Sequence, residues 1–247
     1  MSRTRPAGRP LSAGIIATLL SKMLGLAILL GSSSLLYDVA SSPVFAVSHI
    51  AVLGNRLVSE AELEDAARVG GLNLFWIRRA DIVSALMSLP PVESAEVSLE
   101  LPDNLVIRIA ERQPAAVWMA GETPFLVDRD GRVLAAGQPE APLMVIYDRS
   151  GQPLGPGQRV SADAVQIVAR LDGLLGQSLG PQQRQYEWSA DSGLNVVQGV
   201  GPRLVIGNAD NLEWKIGAIG GIERYLEGNR ITAELIDVRF GDRSFYR

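Results

Sequence analysis

The side chains that could do chemistry in this chain are few. Histidine occurs once, at His49, and cysteine not at all. A histidine serving as general base needs a nucleophile and an orienting acid beside it, and there is no G-x-S-x-G turn to supply the nucleophile. One histidine without cysteine also falls short of the ligand set of an ordinary zinc site, and it excludes thiol chemistry and disulfides. His49 is therefore expected on the surface of a strand. Asp128-Arg129-Asp130-Gly131 opens like a calcium loop, but later ligand positions would fall on Arg132 and Pro139, so a plain β-turn is expected. Gly217-Ala218-Ile219-Gly220-Gly221 lies within an apolar helical stretch, which is the wrong context for a phosphate-binding loop. Paired carboxylates for glycoside hydrolysis remain formally available, because acids are plentiful. No catalytic residue, metal or cofactor is expected, and the chain does not read as an enzyme.

Charge and hydropathy set the frame around these residues. With 47% hydrophobic residues, a chain of 247 can supply a membrane anchor and two modest cores. Four of the 23 basic side chains, Arg3, Arg5, Arg9 and Lys22, precede the first acid, Asp38, leaving 19 against 27 acids and a formal charge of −8 beyond it. A basic groove for nucleic acid is thereby disfavoured.

Between Arg9 and Asp38 runs LSAGIIATLLSKMLGLAILLGSSSLLY, long enough for a spanning helix of about 20 residues. Lys22 at the bilayer centre would cost about 2.5–3.5 kcal/mol. The span is therefore placed at 17–39, where Lys22 sits near one end and can snorkel. The arginines before it predict a cytoplasmic N-terminus, with residues 1–16 as a short tail and the rest extracytoplasmic. Val44-Phe45-Ala46 loosely resembles a signal-peptidase site, but the apolar stretch far exceeds an h-region of about 7–15 residues, so a retained anchor is expected. Ser21/Gly25 and Ala27/Gly31 have small-xxx-small spacing, for which a lipid-facing surface is the simpler reading.

A first domain is expected over 45–113. Val47 to Leu53 reads as a strand ended by Gly54-Asn55. Ser59 and Glu62 then form a capping box ahead of the apolar stripe Leu63, Ala66, Ala67, with Gly70-Gly71 as the stop. A second helix over 78–89 shows Ile82, Ala85, Leu86 and Leu89 on one face and ends before Pro90-Pro91. Ala95, Val97, Leu99 and Leu101 alternate with polar residues in the clearest strand of the chain. Pro102-Asp103-Asn104 turns it into a return strand over Leu105–Ile109. The order strand, helix, helix, strand, strand predicts a small sheet with two helices on one face.

A second domain is expected over 115–247. A hairpin turns at Arg129-Asp130-Gly131 within 118–134, and Leu143–Ile146 forms a short buried strand. After the Gly/Pro loop 151–157 comes a helix carrying Val165, Val168, Ala169, Leu171 and Leu175. Strands at 186–188, 194–197 and 203–207 precede a helix over 214–226 and closing segments at 234–240 and 244–247. In 234–240, Ile236, Val238 and Phe240 alternate with Asp237 and Arg239, which predicts one face on the core and one in solvent. Trp118, Tyr186 and Trp188, within alternating patterns, are expected to be structural rather than sugar-stacking. The fold class is thus α+β: one transmembrane helix, a β-α-α-β-β domain and a mixed β-sheet domain with helices on it.

The chain resembles the FtsQ/DivIB family of bacterial cell-division proteins, in which a POTRA domain follows a single membrane helix. The resemblance rests on Val47–Asn55, Leu89-Pro90-Pro91-Val92, Leu101–Leu105, Glu111-Arg112-Gln113-Pro114, the Leu126-Val127-Asp128 and Asp130-Gly131 hairpin, Ile206-Gly207 before a helix containing Lys215, and Ile236–Phe240. It implies a scaffold of the division machinery in the inner or plasma membrane at the septum. Its partners would be the bitopic proteins FtsB/DivIC and FtsL and, through them, the septal synthase pair FtsW and FtsI, with no small-molecule substrate. It also carries a docking role onto Arg239 and Phe240, with Ser244, Phe245 and Tyr246 less securely aligned. The competing class is a membrane-anchored cell-wall hydrolase or other envelope enzyme, which facing carboxylates in a deep cleft would favour.

Overall fold

A computed structural model describes residues 13–179 and 184–247; the expected tail up to residue 12 lies outside these. The apolar run forms α1 (Ala13–Ala40). From Ala17 to Ala40 it is long and apolar enough to cross a membrane, and none of that stretch is buried in the protein. Leaving its side chains to face lipid is the arrangement an apolar surface of this length requires. A 3-10 turn at Pro43–Phe45 follows, with Ser42 accepting a hydrogen bond from the Val44 N–H.

The first sheet has three strands. β1 (His49–Leu53) lies parallel to β3 (Asn104–Glu111), which lies antiparallel to β2 (Val92–Glu100). The helices α2 (Glu60–Ala67) and α3 (Arg79–Met87) cover one face, burying Leu63, Leu86, Leu105 and Ile107 completely. The cap of α2 is as expected, with Ser59 Oγ accepting from the Glu62 N–H at 3.3 Å. Its stop is not at Gly70-Gly71. Arg68 already adopts the left-handed conformation, and its N–H closes on the Glu64 carbonyl, as the C-terminal motif requires. Leu101, read as the last inward residue of β2, is exposed because the strand ends at Glu100 and the chain turns there.

The second sheet has nine strands in the order β12-β11-β10-β9-β8-β7-β4-β5-β6. Their spans are β4 (Ala116–Ala120), β5 (Thr123–Val127), β6 (Val133–Ala136), β7 (Val145–Asp148), β8 (Arg184–Ser189), β9 (Gly193–Gln198), β10 (Arg203–Gly207), β11 (Leu235–Asp237) and β12 (Phe245–Tyr246). Helix α4 (Ala162–Leu179) connects the parallel neighbours β7 and β8, and α5 (Leu212–Asn229) connects the parallel neighbours β10 and β11. Each is the crossover that a parallel pair needs. The main core contains Trp118, Ile146, Ile167, Leu171, Leu175, Leu194, Leu204 and Ile236. A smaller cluster of Val117, Leu126 and Leu134 receives Leu57 from the loop after β1, and Arg112 pairs with Asp128 at 3.4 Å. The two sheets therefore touch through apolar packing and the Arg112–Asp128 ion pair.

Candidate partner-binding edge

The predicted docking residues come from the last three elements of the chain. Strand β11 is short, because the Asp237 carboxylate accepts the Arg239 N–H at 3.0 Å and turns the backbone out of the ladder. A 3-10 turn at Gly241–Arg243 then reverses direction. β12 returns antiparallel to β11, with Tyr246 opposite Ile236 and Phe245 opposite Asp237. Leu235 and Arg247 exchange hydrogen bonds of 3.1 and 3.0 Å, so Phe245 is the next residue facing β11. Tyr246 between them turns its own N–H and C=O outward, since bonded and non-bonded pairs alternate. β12 is a terminal strand of the sheet, and no strand among the described residues pairs with its outer side, which leaves an open ladder there.

Around that ladder lie exposed aromatics: Phe240 at 57%, Phe245 at 48% and Tyr246 at 40% of full exposure. Tyr246 stands on the same side as buried Ile236, and its ring lies 6.3 Å from that of Tyr225 on α5. Phe240 is flanked by the Arg239 guanidinium, 4.9 Å from its centroid. Tyr225 belongs to this patch and is not among the residues the sequence singled out; a lone tyrosine on a helix surface carries no sign of what it will meet.

Arg239 differs from expectation. Its guanidinium grips Asp237 through Nε at 3.0–3.1 Å and Nη2 at 2.7 Å, and that pairing holds its pKa above the ordinary arginine value. Asp237 is buried, not solvent-facing as the alternation implied. Phe240, expected on the core face, is exposed for the same reason: the strand has ended before it. The arginine stem also lies across Gly207, where a Cβ would come within 2.8 Å of it; Gly207 has a φ of +78°. Arg239 thus builds the edge and orients Phe240, with its charge already neutralised within the chain.

The remaining polar groups are similarly occupied. Lys215 is buried in α5 and donates to the carbonyls of Ile206 and Asn208, both at 3.0 Å, and to Asn208 Oδ1 at 2.9 Å. Burial lowers its pKa. Among the described residues, the buried carboxylates are Asp128, Glu187 and Asp237. Asp128 accepts the N–H groups of Asp130 and Arg132, closing the expected β-turn. Glu187 lies between Arg149 and Arg203. His49 sits exposed at the start of β1, where Ser48 and Asp103 are its neighbours; the Ser48 hydroxyl lowers the Asp103 pKa. Trp118 is fully buried, donates Nε1–H to Asp148 at 2.9 Å and packs 5.6 Å from Trp188.

A family model, "POTRA domain, FtsQ-type", matches residues 45–112, the segment that forms the three-stranded sheet and its two helices. The chain is 33% identical to cell division protein FtsQ of Chloroflexus aurantiacus over 183 residues, covering 73% of this chain and 67% of the relative. It is 30% identical to FtsQ of Novosphingobium aromaticivorans over 244 residues, 96% of this chain and 71% of that one. The chain belongs to the FtsQ family of bacterial cell-division proteins. FtsQ of Mycobacterium tuberculosis is a more partial match, 29% identical over 71% of this chain and 54% of its own length. Two of the residues that carried the FtsQ resemblance in the sequence, Glu111 and Gly54, hold the first unit together. Glu111 accepts the N–H groups of Arg56, Leu57 and Val58 at 2.8–3.0 Å, and Gly54 passes so close to the Ile109 carbonyl that a Cβ would lie 2.1 Å from its oxygen.

Proposed function

We propose that the chain is a non-enzymatic scaffold of the divisome whose C-terminal edge docks an FtsB/DivIC-type bitopic protein. FtsL would join that complex, and FtsW and FtsI would be influenced through it. The observation that carries this reading is the outward ladder at Tyr246 between Phe240, Phe245 and Tyr225. An extended partner segment would add a strand to β12 by β-augmentation, and the aromatics would supply the anchors that dominate interface energetics. Membership of the FtsQ family supports a division role. The basic residues before α1 favour a cytoplasmic N-terminus with both folded units, 45–113 and 115–247, beyond the membrane. Against the hydrolase reading, the buried carboxylates among the described residues, Asp128, Glu187 and Asp237, are engaged by N–H groups or guanidinium.

Two measurements test this. Pull-down of the full chain from detergent should bring small bitopic proteins with it, and a Phe240→Ala/Phe245→Ala/Tyr246→Ala variant with an unchanged melt should lose them. Unchanged capture would put the docking edge elsewhere. Protease added to intact spheroplasts should degrade everything after about Asp38, and protection of that region would overturn the topology.

A further inference from the structure

A second apolar patch, unrelated to the C-terminal edge, lies where α1 ends. Leu72, Phe75 and Trp76 are 51%, 51% and 64% exposed, and Val44 is 62% exposed. Burial of these side chains would be favourable, and a folded chain rarely gathers such groups in water without a use for them.

Their position is tied to the anchor by several contacts. The Asn73 side chain donates to the Ser42 carbonyl at 3.2 Å, and the Val47 N–H donates to the Leu72 carbonyl at 2.9 Å. Ala46 bridges Asn73, and the rings of Phe45 and Phe75 meet edge to face at 5.0 Å. The loop 72–76 is therefore held against residues 42–47, which start two residues beyond the end of α1. With 28 residues α1 is ~42 Å long, more than a hydrocarbon layer of about 30 Å. Exposed Asp38, two residues from its end, marks headgroup depth, because a carboxylate does not sit deeper without cost. The loop must lie near that level.

The residues beside the patch are basic. Arg68, Arg78 and Arg79 are exposed. Arg68 and Arg78 share with Leu72 and Trp76 a groove of about 410 Å³, which also holds one acid, Asp81. Aromatic rings at the interface with arginines around them is the composition that favours a headgroup layer, and anionic lipids attract basic side chains near the surface.

We propose that Leu72, Phe75 and Trp76, with Val44, insert into the headgroup layer of the leaflet from which α1 emerges, while the three arginines pair with anionic lipid. The POTRA unit is then fixed in orientation on the membrane rather than swinging on a flexible stalk, and the occupant of the patch is lipid rather than a protein.

The absence of cysteine makes the test direct. Spin labels are placed singly at Leu72→Cys, Val44→Cys and, as a water-exposed control on β2, Glu96→Cys. The full chain is reconstituted into nanodiscs of phosphatidylcholine and phosphatidylglycerol, with melts matched to the parent. At 72 and 44 the label should collide several-fold less with a water-soluble nickel chelate than at 96, and more with oxygen. Adding Phe75→Ser/Trp76→Ser should return the label at 72 toward the control value, and pure phosphatidylcholine should weaken the protection. Labels at 72 and 44 as open to nickel as the one at 96 would overturn the proposal. Protection that arises only when a bitopic partner protein is added would overturn it in favour of a protein contact. Since this readout needs no partner, its failure leaves the C-terminal docking reading untouched.

Discussion

The two ends of the nine-stranded sheet treat their unpaired backbone in opposite ways. At β6 the chain doubles back over the edge: the Val133 N–H donates to the Gln158 carbonyl at 2.9 Å, the Gly157 N–H donates to the Val133 carbonyl at 2.8 Å, and Arg132 bridges Arg159. At β12 two residues form the last strand, and nothing described in the chain covers them. Long edges elsewhere are blunted by charge, as on β2, where Glu93, Glu96 and Glu100 occupy a nine-residue edge strand. A bare edge ringed with aromatics is thus a departure from how the protein protects β6 and β2, and the covered edge gives the control against which to read it.

The largest effect is expected from uncovering the protected end. Gly131 has a φ of +73°, and a Cβ there would stand 2.5 Å from the Val160 carbonyl oxygen. Gly131→Ala should therefore push the 157–160 segment away from β6, at a cost of about 3 kcal/mol in strain and lost hydrogen bonds. Denaturant melts should show the loss, and sedimentation should show new self-association through β6. Unchanged stability would mean that the cover is not what holds this edge.

Next comes the foundation of the open end. Lys215→Met removes three hydrogen bonds and leaves the Ile206 and Asn208 carbonyls without that donor, which should cost about 2 kcal/mol. It should also weaken partner binding, since β10 carries β11 and β11 carries β12. Denaturation and titration with the partner check both halves. A smaller and more selective effect is expected at the ladder itself. Tyr246→Pro deletes the outward N–H and keeps the bonds that Arg247 makes to Leu235, and proline is tolerated at edge positions. Partner affinity should fall at least about tenfold, or about 1.4 kcal/mol, with little change in the melt. Retained affinity would break the augmentation reading.

Much of this comparison was legible beforehand. Period-two alternation located β2, and the Ser59 cap placed α2 because both depend on neighbours in sequence. The edges were legible only in part: a terminal strand often lies at a sheet edge, which points to the C-terminal segment, but that β12 lies outside β11 and that β6 forms the other end is decided by pairings between distant segments. The C-terminal alternation fails at a specific place: it implies a solvent-facing Asp237 and Arg239, yet they pair with each other, and the Asx-type turn they form ends β11 before Phe240. Two opposite charges two residues apart on one face of a strand can satisfy each other, which is the signal that was available. The turn between β4 and β5 differs from expectation: 118–134 reads as one hairpin turning at Arg129-Asp130-Gly131, and the structure places a second turn before it. Gly121, with a φ of +63°, opens a two-residue loop with Glu122, in the position a II′ hairpin reserves for glycine.

The smallest effect concerns the helix that backs the open end. Glu223 on α5 accepts a hydrogen bond from Gln198 Nε2 at 3.1 Å. Its pKa is raised by burial and, to a lesser degree, by Glu227, against the opposing pull of Gln198 and Arg184. A carboxyl whose folded pKa lies above its unfolded value binds more protons in the native state. Stability is therefore fully present below the ordinary glutamate range and declines as pH rises through the folded pKa. Glu223→Gln keeps an acceptor for Gln198 without the charge, so it should stabilise the protein at neutral pH by roughly 0.5 kcal/mol after allowance for partial exposure. That gain should vanish near pH 4, where the parent glutamate is itself protonated. Melting both proteins across this range checks the sign. A gain that persists at low pH would mean that the substitution acts through packing on α5 and not through the half-buried charge.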